Sequence, residues 1–346
     1  MTDAETIFVK GVGSVSPAGW GVLPLREALA KGCPLLTKEL PRPGWTAPLR
    51  VRAVPPSLTR PGFMTHARIR RVSPITQFAV AAALEALGDD VGPVGDGSLR
   101  LGIVLCVMTG CVNYSRRFYD EALKDPATAS PLVFPETVFN APASHLAALL
   151  GTTAINYTLV GDPGTFLQGL ALAADWLSNK RVDGCLVVGA EEIDWLTADA
   201  YRLFARGIVL SEGAGALYLR REDLRGFTVQ LHSITSPHLF SRMQSRRRAA
   251  MRMRSEMPVG NSGHLLCDGL QALPSLDADE KEAWNGWPGA SLSPKKYLGE
   301  GLAAASAWQC VAAIDALRQH RHPAATVSVV GCNEQAIGAH FVISNS

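Results

Sequence analysis

The sequence predicts an α/β protein made of two halves that repeat one order of elements. Three observations lead there. Short β-branched, apolar runs alternate with helical segments, which implies mostly parallel sheets covered by helices. The same succession of strands and helices then occurs a second time along the chain. No long Gly/Ser linker divides the two series, so one compact duplicated unit fits better than two independent domains.

The first series reads IFVKGVGSVS (7–16), LRLGIVLCVM (99–108), INYTLV (155–160), GCLVVGA (184–190) and GALYLR (215–220). Each run is bounded by glycine or charge, as buried strands are. SPITQFAVAAALEAL (73–87) opens on a serine suited to capping and continues on alanine and leucine. FLQGLALAADWLSN (166–179) is apolar nearly all round, the mark of a helix buried on several sides. Between the third strand and this helix lies a tight turn of Gly161, Asp162, Pro163, Gly164 and Thr165. The second series reads FTVQLHSI (227–234), HLLCDGL (264–270), GASLS (289–293), ATVSVVG (325–331) and AHFVIS (339–344). A small-residue helix, GLAAASAWQCVAAIDALRQH (301–320), again follows the third strand.

Composition narrows the function classes. The chain has 346 residues, 47% hydrophobic and 18% charged, enough for a large core without disulfide or metal staples. A net charge of +2 supplies no global field for nucleic acid. No cationic segment followed by an apolar run opens the chain, and no run of 18 apolar residues marks a membrane span. The seven cysteines form no CxxC pair, so a metal site is not expected. Several sit in apolar runs and read as buried thiols of a reducing, cytoplasmic protein. The GVG of residues 11–13 lacks the third glycine of a dinucleotide loop.

Five segments together resemble the β-ketoacyl synthases of the thiolase superfamily. They are GVGSVSPAG (11–19), RIRRVSPITQFAVAAALEAL (68–87), FPETVFNAPASHLAALLG (134–151) with its asparagine-to-small step at Asn140, SEGAGALYL (211–219) and LSPKKYLGEGLAAASAWQ (292–309). Their order and spacing cover most of the chain, with a shortened, divergent region around 222–290. The resemblance implies a five-layered αβαβα fold of two pseudo-duplicated halves, residues 1–221 and 222–346, with mixed, mostly parallel sheets. It also implies a dimer formed through the strand of residues 154–159, which opens on Ala154 and closes on Leu159.

Members of this family join an acyl thioester to a malonyl thioester held on a carrier protein. A cysteine at the elbow takes the acyl group, two histidines assist decarboxylation and a lysine supports the site. Carried over residue by residue, the nucleophile falls at Pro163, the first histidine at Asp268 and the second at Glu300, while Lys295 keeps the lysine position. A slip of one residue gives Asp162 or Gly164, neither a thiol. His264, four residues before Asp268, reads as a strand histidine with a satisfied hydrogen bond. VVGCNEQ (329–335) stands where the resemblance places a glycine- and phenylalanine-rich loop. A carboxylate at Glu300 would oppose an enolate, so a structural pair with Lys295, within about 6 Å, is the expectation.

The expected function is a ketosynthase-like subunit without the Cys-His-His set. It would be a chain-length-factor-type partner of an active ketosynthase in type II polyketide, aryl-polyene or fatty-acid-like biosynthesis. The alternatives are a diverged acyltransferase or thioester hydrolase, worked by Asp268, Glu300, Lys295 or Thr165, and a non-catalytic carrier-binding scaffold. No resident cofactor is expected; the phosphopantetheine of an acyl carrier protein would be a visiting group. RMQSRRRAAMRMR (242–254) has helical spacing and offers Arg242, Arg246, Arg247, Arg248, Arg252 and Arg254 either as a solvated helix face or as a docking patch for an acidic carrier. NYSRRFYDEALKDP (113–126) reads as an amphipathic helix or as part of the subunit interface.

Overall fold

The computed structural model describes residues 6–221, 228–241, 243–332 and 334–344; Phe227 and Arg242 lie outside the described residues. Ten strands form one hydrogen-bonded path. The first half supplies β1 (Ile7–Ser16), β2 (Leu101–Val107), β3 (Asn156–Val160), β4 (Gly184–Glu191) and β5 (Gly213–Arg220). The second supplies β6 (Thr228–Ile234), β7 (Leu265–Cys267), β8 (Ala290–Leu292), β9 (Ala324–Val330) and β10 (Gln335–Ser344). Their spatial order is β8-β7-β9-β10-β6-β1-β5-β4-β2-β3. Read outward from the β6–β1 junction, each half places its strands first, fifth, fourth, second, third. The directions repeat as well: the first–fifth and fifth–fourth pairs are antiparallel, the two outer pairs parallel.

Two expectations about the sheet need correction. The halves are joined into one sheet, because Ile7, Phe8 and Val9 pair with Leu231, Gln230 and Val229. Pairing is mixed rather than mostly parallel: the four outer pairs are parallel and the five central ones antiparallel. β7 is also shorter than the predicted 264–270. Beyond Cys267, the Gly269 amide donates to Glu280 and the Leu270 amide to Asp268, which takes both out of the ladder.

The helices are α1 (Val22–Lys31), α2 (Pro74–Leu87), α3 (Val112–Lys124), α4 (Ala141–Leu150), α5 (Thr165–Ser178), α6 (Trp195–Phe204), α7 (Arg246–Glu256), α8 (Pro274–Ala283), α9 (Pro294–Leu298) and α10 (Ala303–Arg318). α2 and α4 pack in one cluster with β2 and β5. α5 and α10 share another with strands from both halves, and α7 shares a third with Leu266 and Val330 of the second half. The all-round apolarity of α10 has its reason there, since every residue from Ala303 to Leu317 is buried. Trp308 on α10 donates to Val15 O at 3.1 Å and Ala214 O at 3.0 Å, fixing the helix to β1 and β5.

Gly11 and Gly13 serve packing. A Cβ on them would stand 1.7 Å from Ala86 O and 1.9 Å from Ala82 O, so only glycine lets α2 lie this close to β1. Ser73 precedes α2 as expected but does not cap it: its hydroxyl donates to the buried Glu192 carboxylate at 2.5 Å. Among the described residues, no helix is long and apolar enough to cross a membrane.

Candidate functional site

The first wall of the site is the turn from β3 into α5. Gly161 N continues the parallel pairing by donating to Val107 O at 3.1 Å, and Thr165 N closes the turn on Asp162 O at 2.9 Å. Pro163 is buried at the apex and offers neither a nucleophile nor an N–H. The working polar group is its neighbour. Asp162 Oδ1 accepts from Gly164 N and Gln335 Nε2, both at 2.9 Å, and Oδ2 accepts from Gln335 N at 3.1 Å. Burial outweighs these bonds and holds the Asp162 carboxyl above the ordinary carboxylate range.

The second wall is the stretch from α9 into α10. Lys295 Nζ lies 2.9 Å from Glu300 Oε2, and both side chains are almost fully buried, within the distance expected for the pair. The same oxygen accepts from Gln271 Nε2 at 2.7 Å, and Oε1 accepts from Leu302 N at 2.8 Å. Burial works against the Lys295 ammonium, but Glu300 more than offsets it, so Lys295 stays charged with its pKa raised. Two unusual backbone angles flank the carboxylate. Gly299 has φ 93°, and a Cβ there would stand 2.7 Å from Val209 O. Leu302, not a glycine, has φ 51° and ψ −118°.

Asp268 sits just beyond β7, with its carboxylate accepting from Leu270 N at 3.1 Å. Burial first, then the charge of Asp277, push it up; Glu280 is pushed up by burial and by Asp268. Asp268 is joined to the Glu300 wall through its loop, by Gln271, and through its own amide, which donates to Leu292 O at 3.0 Å. His264 precedes β7 rather than lying within it. Its ring is only half satisfied, with Nε2 3.0 Å from Asn261 Nδ2 and a buried Nδ1 without a partner among the described residues.

A narrow cleft lined by Arg246, Gly269, Gln271, Asp277, Glu300 and Cys332 opens at Glu300. Burial, then Glu300, push the Cys332 thiol up to about 11, which keeps it protonated and poorly nucleophilic. Cys106, Cys111, Cys185, Cys267 and Cys310 are buried, as their apolar contexts predict. No group of three or more His, Cys, Asp or Glu among the described residues is placed to hold a metal ion.

Cys332 links the two walls, lying within electrostatic range of Glu300 and Lys295 on one and of Asp162, next to Pro163, on the other; Asp268 belongs to the loop that carries Gln271. Sequence reading missed Gln271 and Gln335, the two amides that bind the walls. Gln335 closes the quoted VVGCNEQ and Gln271 directly follows HLLCDGL, but a glutamine gives no sequence signal for a partner far along the chain.

The arginine segment is helical as expected, but its side chains differ. Arg246 donates to Gly331 O, Val330 O and Leu276 O. Arg247 pairs with Glu282, and Arg254 stacks over Trp284 with 4.6 Å to the ring centroid. Arg248 and Arg252 are exposed, with no ion pair among the described residues. α3 buries no residue.

A family model for the beta-ketoacyl synthase N-terminal domain matches residues 4–224. No curated protein matches the sequence. Solved structures match over nearly the whole chain. The ishigamide ketosynthase/chain length factor superposes with TM-score 0.81 at 19% identity, covering 98% of this chain and 100% of that one. A β-ketoacyl synthase from Burkholderia phymatum gives 0.80 at 16%, covering 99% and 100%. A ketosynthase in complex with its chain length factor from Xenorhabdus doucetiae gives 0.78 at 13%, covering 99% of each. At these identities the likeness shows the fold alone.

Proposed function

Because the chain belongs to the β-ketoacyl synthase family, we propose that it is a chain-length-factor-type subunit. It would pair with an active ketosynthase of a type II polyketide, aryl-polyene or fatty-acid-like system and shape the growing chain's tunnel without condensing acyl units itself. The observation that carries this reading is the Lys295–Glu300–Gln271 clamp. A buried carboxylate stands where the resemblance expects a histidine, and it would repel a developing enolate. With three donors already on Glu300, it is also a poor general base. We read the repeated strand order and the three helical clusters as the five-layered, pseudo-duplicated arrangement, divided near residue 221.

The partner surface in this reading is the open edge of β3 with α3 and the segment beside it. Tyr119, Leu123, Leu132, Phe134, Phe139 and Tyr157 are all large, apolar and exposed there. α3 is tied to that segment by Ser115 Oγ donating to Thr137 O at 3.1 Å. Arg248 and Arg252, with Arg247 beside them, are the arginines left for an acidic carrier protein and its phosphopantetheine. Titration of a separate carrier against Arg248→Glu/Arg252→Glu would read that contribution.

The test is co-expression with a candidate ketosynthase, followed by size-exclusion chromatography and product analysis. A one-to-one complex is expected, with product length changed by substitutions on this chain. A stable homodimer that never captures a ketosynthase would overturn the reading. So would turnover of an acyl thioester by the isolated chain that Glu300→Gln abolishes.

A further inference from the structure

We infer that Gln335 is the residue that denies the elbow to acyl groups, its carboxamide filling the space over the Pro163–Gly164 turn. The inference rests on the non-condensing reading above and assigns the exclusion of substrate to one side chain.

The geometry is close-fitting on every side. A Cβ added to Gly164 would stand 2.8 Å from Gln335 Cγ, 2.9 Å from Cδ and 3.0 Å from Nε2, so the glutamine lies directly on the turn. Asp162 holds it there through both its backbone N–H and its carboxamide. The approach needs a glycine at 331, where a Cβ would fall 2.0 Å from Asp162 Oδ2. Gly331 N donates to Gln335 O at 2.8 Å, drawing these two residues together against the elbow. Gln335 also opens β10 and pairs with Leu239, so it is carried by the sheet.

An acyl chain reaching Pro163 would have to displace this side chain. That would strip the carboxamide donor from a carboxylate that is 1% exposed, and a buried carboxylate that loses a donor is costly. The chemistry excluded is therefore any acyl thioester presented at the N-terminus of α5. Pro163 removes the thiol, and Gln335 removes the room for its substrate.

The experiment places a reporter thiol under the glutamine. Pro163→Cys in the full chain is treated with iodoacetamide, and alkylation is followed peptide by peptide. The exposed Cys33 serves as reference in the same molecule. A thiol at a helix N-terminus should react readily if it is open. The expected result is alkylation of the introduced thiol roughly ten- to a hundredfold slower than at Cys33, the equivalent of one hydrogen bond to a charged group. Gln335→Ala in that background should restore most of the rate. Equal rates at both thiols, indifferent to Gln335→Ala, would overturn the inference.

Should Pro163→Cys fail to fold, hydrogen exchange on Gln335→Ala alone decides. Faster exchange at Gly164 and the first turn of α5, with β2 and β4 unchanged, supports the role; unchanged exchange at Gly164 removes it. Neither readout involves a partner. A chain that shields the introduced thiol yet never binds a ketosynthase would refute the proposed function and leave Gln335 in place, and the converse holds as well.

Discussion

Each half of the molecule enters the site by the same route, a third strand leading to a buried helix, but the two turns are held by different means. The turn between β3 and α5 has no positive φ from Gly161 to Thr165 and is held from outside, by Gln335 bonding Asp162. The approach to α10 carries Gly299 at φ 93° and Leu302 at φ 51°, and it is held mainly from within, by Lys295 and the Leu302 amide on Glu300, with Gln271 added from outside. Backbone strain persists only where the surroundings over-determine it. The second half keeps a positive-φ leucine beside the buried Glu300 carboxylate, whereas the first half turns from strand to helix without any positive φ. The clamp on Glu300 and the strain at Leu302 belong to one device, since the Leu302 amide is one of the donors.

The largest effect should come from breaking that clamp. Lys295→Met leaves Glu300 buried without its countercharge, and such a loss costs about 3–5 kcal/mol. Lys295→Met combined with Glu300→Leu removes both charges and should recover most of it. Denaturant midpoints with unchanged slopes would measure both. If the single and double substitutions are equally damaging, the pair is not the element that holds the second turn.

Much of this organisation is legible in the sequence, and the failures share a cause. The apolar runs place all ten strands, because burial on both faces leaves continuous β-branched stretches such as GIVLCV and LVVGA. The Lys295–Glu300 pair is readable too, since the resemblance sets a carboxylate five residues after the retained lysine position, although Glu300 lies beyond the short helix that carries Lys295. What sequence does not carry is side-chain competition for backbone groups. Glu280 and Asp268 end β7 early, and Glu192 takes the hydroxyl of Ser73 from α2. Asp268 acts two residues away, but the other two partners lie outside the local pattern: Glu280 is 11 residues from Gly269 and Glu192 is 119 from Ser73. Gln335 is the extreme case, 173 residues from the Asp162 it binds.

A smaller effect distinguishes the two turns by sign. At 302, glycine relieves an angle that a Cβ resists, a gain of about 1–3 kcal/mol. That gain exceeds the extra backbone entropy of glycine, about 0.5–1 kcal/mol. Leu302→Gly should therefore be more stable than Leu302→Ala by about 1 kcal/mol, though both lose the buried leucine. At 163 the order should reverse, with Pro163→Ala more stable than Pro163→Gly, because proline already fixes an ordinary φ. Thermal midpoints of the four variants suffice. The same order at both positions would mean that the turns are equally relaxed.

The smallest effect concerns pH, where one buried group from each half gives slopes of opposite sign. In the first half, burial pushes the Glu191 carboxyl up to about 7 despite its bonds from Thr109 and Met108 N. A folded pKa raised above the unfolded value gives stability that is full below about 4.5 and is lost as pH rises through about 7. In the second half, burial, with His232 and His264 alongside, lowers His340 to about 4. A lowered histidine gives stability that is full above about 6.5 and is lost as pH falls toward about 4. Between about pH 5 and 6.5 the two slopes have opposite sign, each at most about 1.4 kcal/mol per pH unit. Glu191→Gln should therefore make stability rise more with pH across this window than in the unsubstituted chain. His340→Gln should make it fall more. Denaturation midpoints taken at intervals from pH 5 to 6.5 would read both changes. Two variants shifting in the same direction would show that one of these groups ionises normally in the folded chain, and the variant that departs from its expected direction would identify it.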